Sequence, residues 1–214
     1  PAEIEILAQA ILTSPKKAQI SAETVTIDLV NQSVYQLDKS NKVPLLFNIL
    51  GNSDYEKVLI FCKTKYGADI IVKALEKASI TAASLHSGKT QAVREEALQN
   101  FKDAKLRVLV ATDVAARGID VDNITLVINY NLPEDPRNYI HRIGRTARAG
   151  KNGMAISFAV ENDVRQLTTI ENSIGQVIPV VTEQPFHKEF SKAPIQIKKK
   201  KPAKKTNKAR AKRK

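Results

Sequence analysis

Three arginines recur at intervals of three within residues 139–148: Arg142, Arg145 and Arg148. On a helix this spacing drifts around the axis but keeps the three side chains on one broad face. Clustered guanidinium groups repel one another unless an anion lies among them, and phosphate matches their geometry in a bidentate fork. The pattern therefore indicates a site for a terminal phosphate. A solvated basic helix face is the alternative explanation.

A second polar segment, residues 111–120, directly follows the apolar run at 108–110. It contains the hydroxyl of Thr112, backbone amides near a predicted helix start, and Gly118, which allows close approach. Together these groups can bind a phosphodiester backbone. A simple turn with a capping Thr or Asp is the alternative.

Residues 86–90 end in Gly88-Lys89-Thr90, the end of the nucleotide-binding P-loop pattern. That pattern also requires a glycine five residues before Gly88, and Ala83 stands there, inside a predicted strand. We therefore exclude a phosphate loop at this position. No other segment of the sequence supplies the pattern, and there is no Asp-Glu-Ala-Asp run for magnesium. A protein that handles ATP would have only part of its machinery in this chain.

Short β-rich runs alternate with helical stretches from residue 55 onward. Strands are predicted at 57–62, 81–85, 107–111 and 125–130, and helices at 67–78 and 91–101. The side chains predicted to face inward are Ile70, Ile71, Ala74 and Leu75 on the first helix, and Val93, Ala97, Leu98 and Phe101 on the second. Strands separated by helices imply an α/β fold of three layers, with a mostly parallel central sheet between helices. In such sheets functional residues gather at the carboxyl ends of the strands.

The charge of the chain is concentrated at its end. Of 34 Lys and Arg residues, 11 lie in residues 198–214, where there is no acid, and this leaves 23 against 22 Asp and Glu residues elsewhere. The net charge of +12 is therefore the property of a tail. Residues 183–214 lose periodicity and are predicted to be disordered.

Composition excludes several classes of protein. A length of 214 residues fits one domain with extensions, and the sequence has no run of 18 apolar residues for a membrane span and no secretion signal. The single cysteine, Cys62, cannot form an internal disulfide and suits a reducing cytoplasm. Because it lies in an apolar run, we predict that it is a buried hydrophobe.

Four of these segments carry a resemblance to a known family. Residues 111–120 resemble motif V of the DEAD-box helicases and residues 139–148 resemble motif VI, while residues 61–64 resemble motif IV and residues 91–94 resemble the Gln-x-x-Arg element. With four motifs in the right order, the chain is identified as a member of this family of ATP-dependent RNA helicases. It resembles the second, C-terminal RecA-like domain. Residues 32–42 resemble the bacterial RhlE-type members.

The resemblance also implies where the domain begins and ends. Residues 1–3 resemble those just after the Ser-Ala-Thr motif that closes the first helicase domain. Residues 1–18, with a helical stripe of Ile4, Leu7, Ala8, Ile11 and Leu12, are therefore predicted to be a remnant of that domain. Residues 19–182 are predicted to be the RecA-like domain, and residues 183–214 the basic tail.

Roles in ATP binding are implied by the same resemblance. Arg145 and Arg148 match the arginine fingers that reach the γ-phosphate of an ATP held mainly by the first domain. Asp120 matches the acid that contacts the nucleotide ribose, and Arg117 lies on the same interdomain face. The implied cofactor is ATP with Mg, bound mainly by the first domain.

Other positions match residues that contact RNA or link the domains. Thr112, Gly118, Arg94 and Thr64 match contacts to the RNA backbone, and His141 and Arg142 match residues that couple the two domains. The family departs from this sequence at two positions, since Ser87 and Ala147 stand where many members have glycine. The added methyl group at Ala147 is compatible with a helix.

The expected partners are RNA and the first RecA-like domain, and the chain is expected to be a cytoplasmic monomer with no membrane contact. One alternative is a non-enzymatic RNA-binding protein in which the fold is a scaffold and the lysine-rich tail binds. A second alternative is a related helicase or DNA translocase outside the DEAD-box group. The arginine spacing beside a motif-V segment favours the helicase over the binding protein.

Overall fold

The chain folds around one sheet of short strands linked by helices. The structure is a computed structural model that describes residues 8, 10–13, 29–51, 55–116, 119, 121–146 and 153–190. The strands are β1 (Val30–Gln36), β2 (Val58–Phe61), β3 (Ala82–Leu85), β4 (Val108–Ala111), β5 (Leu126–Asn129) and β6 (Gly153–Ala159). The helices are α1 (Lys42–Leu50), α2 (Lys65–Lys77), α3 (Gln91–Lys102), α4 (Asp113–Ala116), α5 (Pro136–Ile143) and α6 (Val164–Ile174).

In the described part of the chain the six strands pair in the order β1-β6-β5-β2-β4-β3, and every pairing is parallel. Strands β2, β4 and β5 are buried at all four of their residues. Continuous apolar strands of this kind are typical of parallel sheets that are covered by helices on both faces. The burial therefore follows directly from the apolar runs in the sequence.

Alternate strand residues face two helical layers. Val58 and Ile60 pack in one cluster with residues of α1 and α2. Leu59 and Phe61 point to the opposite face, where they pack with Phe101 of α3 and with α4. The predicted three-layer α/β/α architecture with a parallel sheet is confirmed.

All six elements predicted from periodicity are present, and their ends agree within two residues. The prediction that Ile70 and Val93 face inward is wrong, because Ile70 is 64% exposed and Val93 is 44% exposed. The buried stripe of α2 runs through Ala68, Ile71, Val72 and Leu75, so Ile70 lies beside it. Val93 lines a groove beside β3, and among the described residues no further strand lies beyond β3 to cover it.

Two strands and two helices were not predicted from the sequence: β1, β6, α1 and α6. Strand β1 carries buried Gln32 and Gln36 in place of an apolar run, and α1 begins with a buried lysine, Lys42. Burial lowers the pKa of the Lys42 ammonium group. The ammonium group donates to the carbonyl oxygen of Tyr130 at 2.8 Å, a partner that is 88 residues away along the chain.

The segment after α6 runs back along β1. Val34 N donates to Pro179 O at 2.8 Å, and Val181 N donates to Val34 O at 2.9 Å. Further on, Lys188 N donates to Gln36 O at 3.0 Å, and the side chain of Phe190 is buried. Residues 183–190, which the sequence assigned to the tail, thus contact the domain.

Part of the predicted organisation lies outside the described residues. Of the amino-terminal stripe, Ala8, Ile11 and Leu12 are described, and Leu12 N donates to Ala8 O at 2.9 Å in a helical turn. Ile11 and Leu12 are exposed. The assignment of residues 1–18 to a first domain stays a prediction, and so does the tail beyond residue 190.

We predict that ending the chain after residue 182 destabilises the domain, whereas ending it after residue 190 does not. The shorter chain would lack Phe190, which is buried, and fully burying a Phe side chain contributes about 1.5–3 kcal/mol. In a domain of this size the loss should lower the melting temperature by about 3–12 °C. Thermal unfolding of the two truncated chains checks this. Equal melting temperatures would show that the contacts of residues 183–190 add no stability.

Candidate functional site

All strand ends that carry candidate residues lie on one edge of the parallel sheet, and three helices begin there with a side-chain cap. Thr64 Oγ1 accepts from Gly67 N at 3.0 Å at the start of α2, and Thr90 Oγ1 accepts from Val93 N at 3.4 Å at the start of α3. Asp135 accepts from Arg137 N at 2.9 Å, with Pro136 in the first turn of α5. Capping residues satisfy amides that the helix itself leaves unpaired. The caps therefore fix where each helix leaves the edge.

Helix α2 starts unusually close to the end of β2. A Cβ atom at Gly67 would lie 2.8 Å from the Sγ atom of Cys62 and 3.0 Å from Oγ1 of Thr64. Burial raises the pKa of the Cys62 thiol, which therefore stays protonated. Cys62 is a buried packing residue, as its apolar setting in the sequence predicts.

The centre of the site is the guanidinium group of Arg142, which is almost completely buried. Its Nε and Nη2 atoms donate to the two carboxylate oxygens of Asp113 at 2.6 and 2.7 Å. Its Nη1 atom donates to Oδ1 of Asn129 at 3.0 Å and to the carbonyl oxygen of Asn131 at 2.7 Å. The guanidinium carbon lies 4.9 Å from the ring centre of Phe61. A bidentate pair with two further acceptors satisfies a buried arginine well.

Further buried hydrogen bonds anchor α5 to the sheet. Asn129 Nδ2 donates to Ser157 Oγ at 3.1 Å, and the hydroxyl of Tyr139 donates to Oε1 of Gln32 at 2.8 Å. Burial raises the pKa of Tyr139, so the hydroxyl keeps the proton that it donates. Tyr139 and Arg142 lie about one turn apart on α5. Two buried polar anchors on one helix prevent it from rotating.

Arg145 lies two residues beyond the end of α5, so the prediction that Arg142 and Arg145 share one helix face is wrong. Its Nη1 atom donates to the carbonyl oxygen of Ile119 at 2.8 Å. The next residue, Thr146, is buried, and its hydroxyl donates to Ile124 O at 2.7 Å. These contacts hold the half-buried Arg145 side chain beside the segment that contains residues 117–120.

An open pocket of about 280 Å³ lies where α4 and α5 meet the edge of the sheet. Its lining residues are Phe61, Asp113, Ala116, Asn138, His141, Arg142 and Arg145. His141 is exposed, whereas Arg142 is enclosed by its internal partners. A bidentate carboxylate neutralises the charge of Arg142, and Arg145 is a second arginine on the wall of the pocket.

The predicted RNA contacts lie further along the same edge. Thr64 and Thr112 follow neighbouring strands, and these strands are linked where Cys62 N donates to Ala111 O at 2.9 Å. Thr112 N also donates to Leu85 O at 3.2 Å, which connects this point to β3. Arg94 lies in the first turn of α3, and its Nη1 atom donates to Gln91 Oε1 at 3.2 Å. The structure thus brings Thr64 and Thr112 together and places Arg94 on the helix after β3.

Four predicted site residues lie outside the described residues: Arg117, Gly118, Asp120 and Arg148. Sequence reasoning missed the partners of Arg142, which are Asp113, Asn129 and Asn131. Asn129 offered a signal, because it is a polar residue that ends the buried run of β5. Among the described residues no three His, Cys, Asp or Glu side chains form a group that could hold a metal ion. No helix in that part of the chain is long and apolar enough to cross a membrane.

The fold and the site together define a RecA-like domain of the helicase type. A parallel sheet with helices on both faces carries helix α5, with Arg142, at its carboxyl edge, and an open pocket lies beside this helix. Comparison with known proteins agrees. The family model described as the helicase conserved C-terminal domain matches residues 41–150.

Individual relatives narrow the class. The chain is 42% identical over 176 residues to the ATP-dependent RNA helicase RhlB of Pseudomonas syringae, covering 82% of this chain and 44% of the relative. It is similar to the Escherichia coli DEAD-box protein SrmB solved with the regulator RraA, at 31% identity and a TM-score of 0.72, covering 77% of this chain and 98% of that chain. It is also similar to Saccharomyces cerevisiae Dbp5 solved with RNA and ADP BeF3, at 28% identity and a TM-score of 0.72, covering 85% and 49%.

The chain belongs to the helicase conserved C-terminal domain family, and its relatives are DEAD-box ATP-dependent RNA helicases. It spans less than half the length of the RhlB relative. The resemblance of residues 32–42 to RhlE-type members stays a prediction.

We predict that Arg142→Lys destabilises the domain by at least about 2 kcal/mol, because a lysine cannot form the bidentate pair and leaves buried acceptors without donors. Arg137→Lys is the matched control, because Arg137 pairs with Asp135 on the surface of the same helix. Exposed ion pairs contribute about 0–1 kcal/mol. Urea unfolding of both variants measures the difference. Similar small losses would contradict a central role for the buried pair.

Proposed function

We propose that this chain is the half of an ATP-dependent RNA helicase that supplies arginines to ATP and backbone contacts to RNA. The observation that carries the proposal is the position of Arg145, which buried anchors on α5 hold beside an open pocket at the carboxyl edge of the sheet. A first RecA-like domain would hold most of the ATP and its magnesium ion. The RhlB relative is long enough to contain such a domain, because this chain covers 44% of it.

Residues of this chain would complete the nucleotide site when the two domains close. Arg145 and Arg148 would contact the γ-phosphate, Asp120 would contact the ribose, and Arg117 would face the first domain. The pocket residues fit this use, because Arg145 lies on its wall and bonds to Ile119, within the segment that carries Arg117 and Asp120. Arginines supplied by a second element stabilise charge that develops on the transferred phosphoryl group, which is worth ~10³–10⁵ in rate.

The RNA backbone would cross the other half of the same edge. Thr64 and Thr112 at neighbouring strand ends, with Gly118 and Arg94, would contact phosphates and sugars. Contacts of this kind read no base sequence. Dbp5, which has a similar fold, has been solved with RNA and ADP BeF3 together, and this supports a role for this domain in binding both.

Two residues of α5 would link the domains in different ways. Exposed His141 lines the pocket and would contact the first domain directly. Buried Arg142 would act through Asp113, which follows the predicted RNA contact Thr112 in the chain. If ATP and RNA both bind across the two domains, closure is favoured when both are present, and hydrolysis becomes coupled to RNA remodelling.

The basic tail would add affinity for RNA. Residue 190, the last residue described at this end, lies beside Gln36 at the carboxyl end of β1, on the same edge as the site. The lysine-rich run of the tail begins eight residues later, at Lys198. A chain of that length spans up to about 28 Å, enough to cross several strands spaced about 4.8 Å apart. We also propose that the chain is a monomer and works in the cytoplasm.

We predict that Arg145→Ala or Arg148→Ala lowers kcat for ATP hydrolysis by at least ~10²-fold when this chain is joined to the first domain, because each arginine acts on transition-state charge. RNA affinity should change far less. Arg137→Ala, at the other end of α5, is the matched control and should keep kcat. Steady-state ATPase measurements with saturating RNA check this.

Two outcomes would contradict the proposal. If RNA affinity collapsed while kcat held, the arginines would belong to the RNA site. Because the sequence of this chain has no phosphate-binding loop, we expect no ATP turnover by the chain alone. RNA-stimulated turnover by this chain alone would therefore show that it is not a half-site.

We predict that deleting residues 198–214 flattens the salt dependence of RNA binding. Each phosphate neutralised on a single strand contributes a slope of about −0.7 in log K against log salt concentration. A chain with the same 17 tail residues in scrambled order is the control and should keep the slope, because such contacts read no sequence. RNA-binding titrations at several salt concentrations measure the slope. An unchanged slope after deletion would remove the tail from the RNA site.

A further inference from the structure

The segment that imitates a P-loop in the sequence, residues 86–90, is held by one carboxylate on α2. Oδ1 of Asp69 receives three donors: Ser84 Oγ at 2.6 Å, His86 Nε2 at 3.1 Å and Lys89 Nζ at 3.1 Å. Ser84 and His86 are buried. These three residues lie on β3 and in the loop that follows it, so Asp69 ties the loop to the neighbouring helix.

The orientation of the His86 ring follows from its second contact. Gly88 N donates to Nδ1 of His86 at 3.1 Å, so the proton of the neutral ring is on Nε2 and points at Asp69. A Cβ atom at Gly88 would lie 3.1 Å from Nδ1, which leaves little space for any other residue. Lys89 N also donates to His86 O at 3.1 Å and closes the turn. The loop therefore has a single compact arrangement built around His86.

This loop leads directly into α3. Thr90 caps the helix, and Arg94 N donates to Thr90 O at 3.1 Å in its first turn. At its other end the loop begins after Leu85, whose carbonyl oxygen accepts from Thr112 N. The position of Asp69 therefore decides how Arg94 is placed relative to Thr112.

The carboxylate of Asp69 is charged at neutral pH. Burial alone would raise the pKa of this group, but the hydrogen bonds from Ser84, His86 and Lys89 hold it well below its usual range. Asparagine at this position would keep Oδ1 as an acceptor but lose the charge, which weakens each of the three contacts. The three contacts are therefore strongest with the carboxylate.

We propose that Asp69 is a positioning residue for RNA binding, which fixes the 86–90 loop so that Arg94 at the start of α3 meets the RNA backbone. The inference rests on the proposed function, because the RNA contact of Arg94 belongs to it. Asp69 itself does not contact the RNA in this account. Its effect passes through the loop and the cap of α3.

The direction of the effect separates positioning from plain electrostatics. Asp69→Asn removes a negative charge close to a polyanion site, and through-space electrostatics alone would tighten RNA binding. A positioning role predicts weaker binding, because the loop loses its anchor. The two explanations thus give changes of opposite sign.

The test compares Asp69→Asn with Asp103→Asn in the protein joined to its first domain. Asp103 lies at the far end of α3, where it accepts from Gln99 at 2.8 Å, so the control removes one negative charge from the helix that carries Arg94 without touching the 86–90 loop. ATPase assays across RNA concentrations give KM for RNA, kcat and KM for ATP. We expect Asp69→Asn to raise KM for RNA at least about fivefold, since three contacts of the loop lose their charged acceptor and become weaker. Asp103→Asn should leave it equal or lower, and kcat at saturating RNA should stay within about twofold for both.

Ser84→Ala is a milder variant for the case in which Asp69→Asn does not fold, and it should raise KM for RNA in the same direction. Hydrogen exchange of the amides from Ser87 to Arg94 should be faster in both variants and unchanged in Asp103→Asn. An unchanged or lower KM for RNA in Asp69→Asn and Ser84→Ala would overturn the inference. Arg94→Ala tests the proposed RNA contact separately from the positioning role. If Arg94→Ala does not raise KM for RNA, the proposed RNA contact itself fails. If Arg94→Ala raises KM for RNA but the Asp69 and Ser84 variants do not, only the positioning role of Asp69 fails.

Discussion

A guanidinium group buried in a small domain requires a complete set of partners, because removing an ion from water costs several kcal/mol. Arg142 meets this requirement with the carboxylate of Asp113 and the oxygens of Asn129 and Asn131. These partners come from the segment after β4 and from the end of β5, while Arg142 itself lies on α5. Three separate segments must therefore meet at one point for the charge to be tolerated. The geometry of the carboxyl edge follows from that meeting.

The same pair explains how two arginines can lie close together at the end of α5. From the sequence, three guanidinium groups were expected to require a phosphate among them. In the structure, the anion for Arg142 is Asp113 of the same domain, while Arg145 turns to a backbone carbonyl beside the pocket. One arginine of the triplet is thus used internally to fix the helix, and in the proposed function its neighbours would contact the nucleotide. The arginines of residues 139–148 therefore have two different roles, an internal one for Arg142 and a proposed nucleotide contact for its neighbours.

How far the sequence predicts the structure depends on where the partners of each residue lie. The runs of β2, β4 and β5 are apolar at nearly every position, so local pattern alone predicted buried parallel strands and the edge where the site lies. Gln32, Gln36 and Lys42 are buried because of hydrogen bonds to residues more than 80 positions away. Periodicity cannot detect such partners, and β1 and α1 were missed for that reason. The order of residues 183–190 depends on the same remote contacts to β1.

The site residues are linked by short contacts with few places to bend. Asp113 pairs with Arg142 at the pocket, adjacent Thr112 bonds to Leu85, and the loop after Leu85 is tied to α2 through Asp69. Capped helix starts and anchored side chains thus connect the pocket to the loop before α3 within the described residues. In the proposed function, the coupling of ATP to RNA therefore arises mainly from motion of this domain as a unit against the first one. A well-connected edge suits that role, because the binding of both ligands then depends on the same movement, the closure of the cleft.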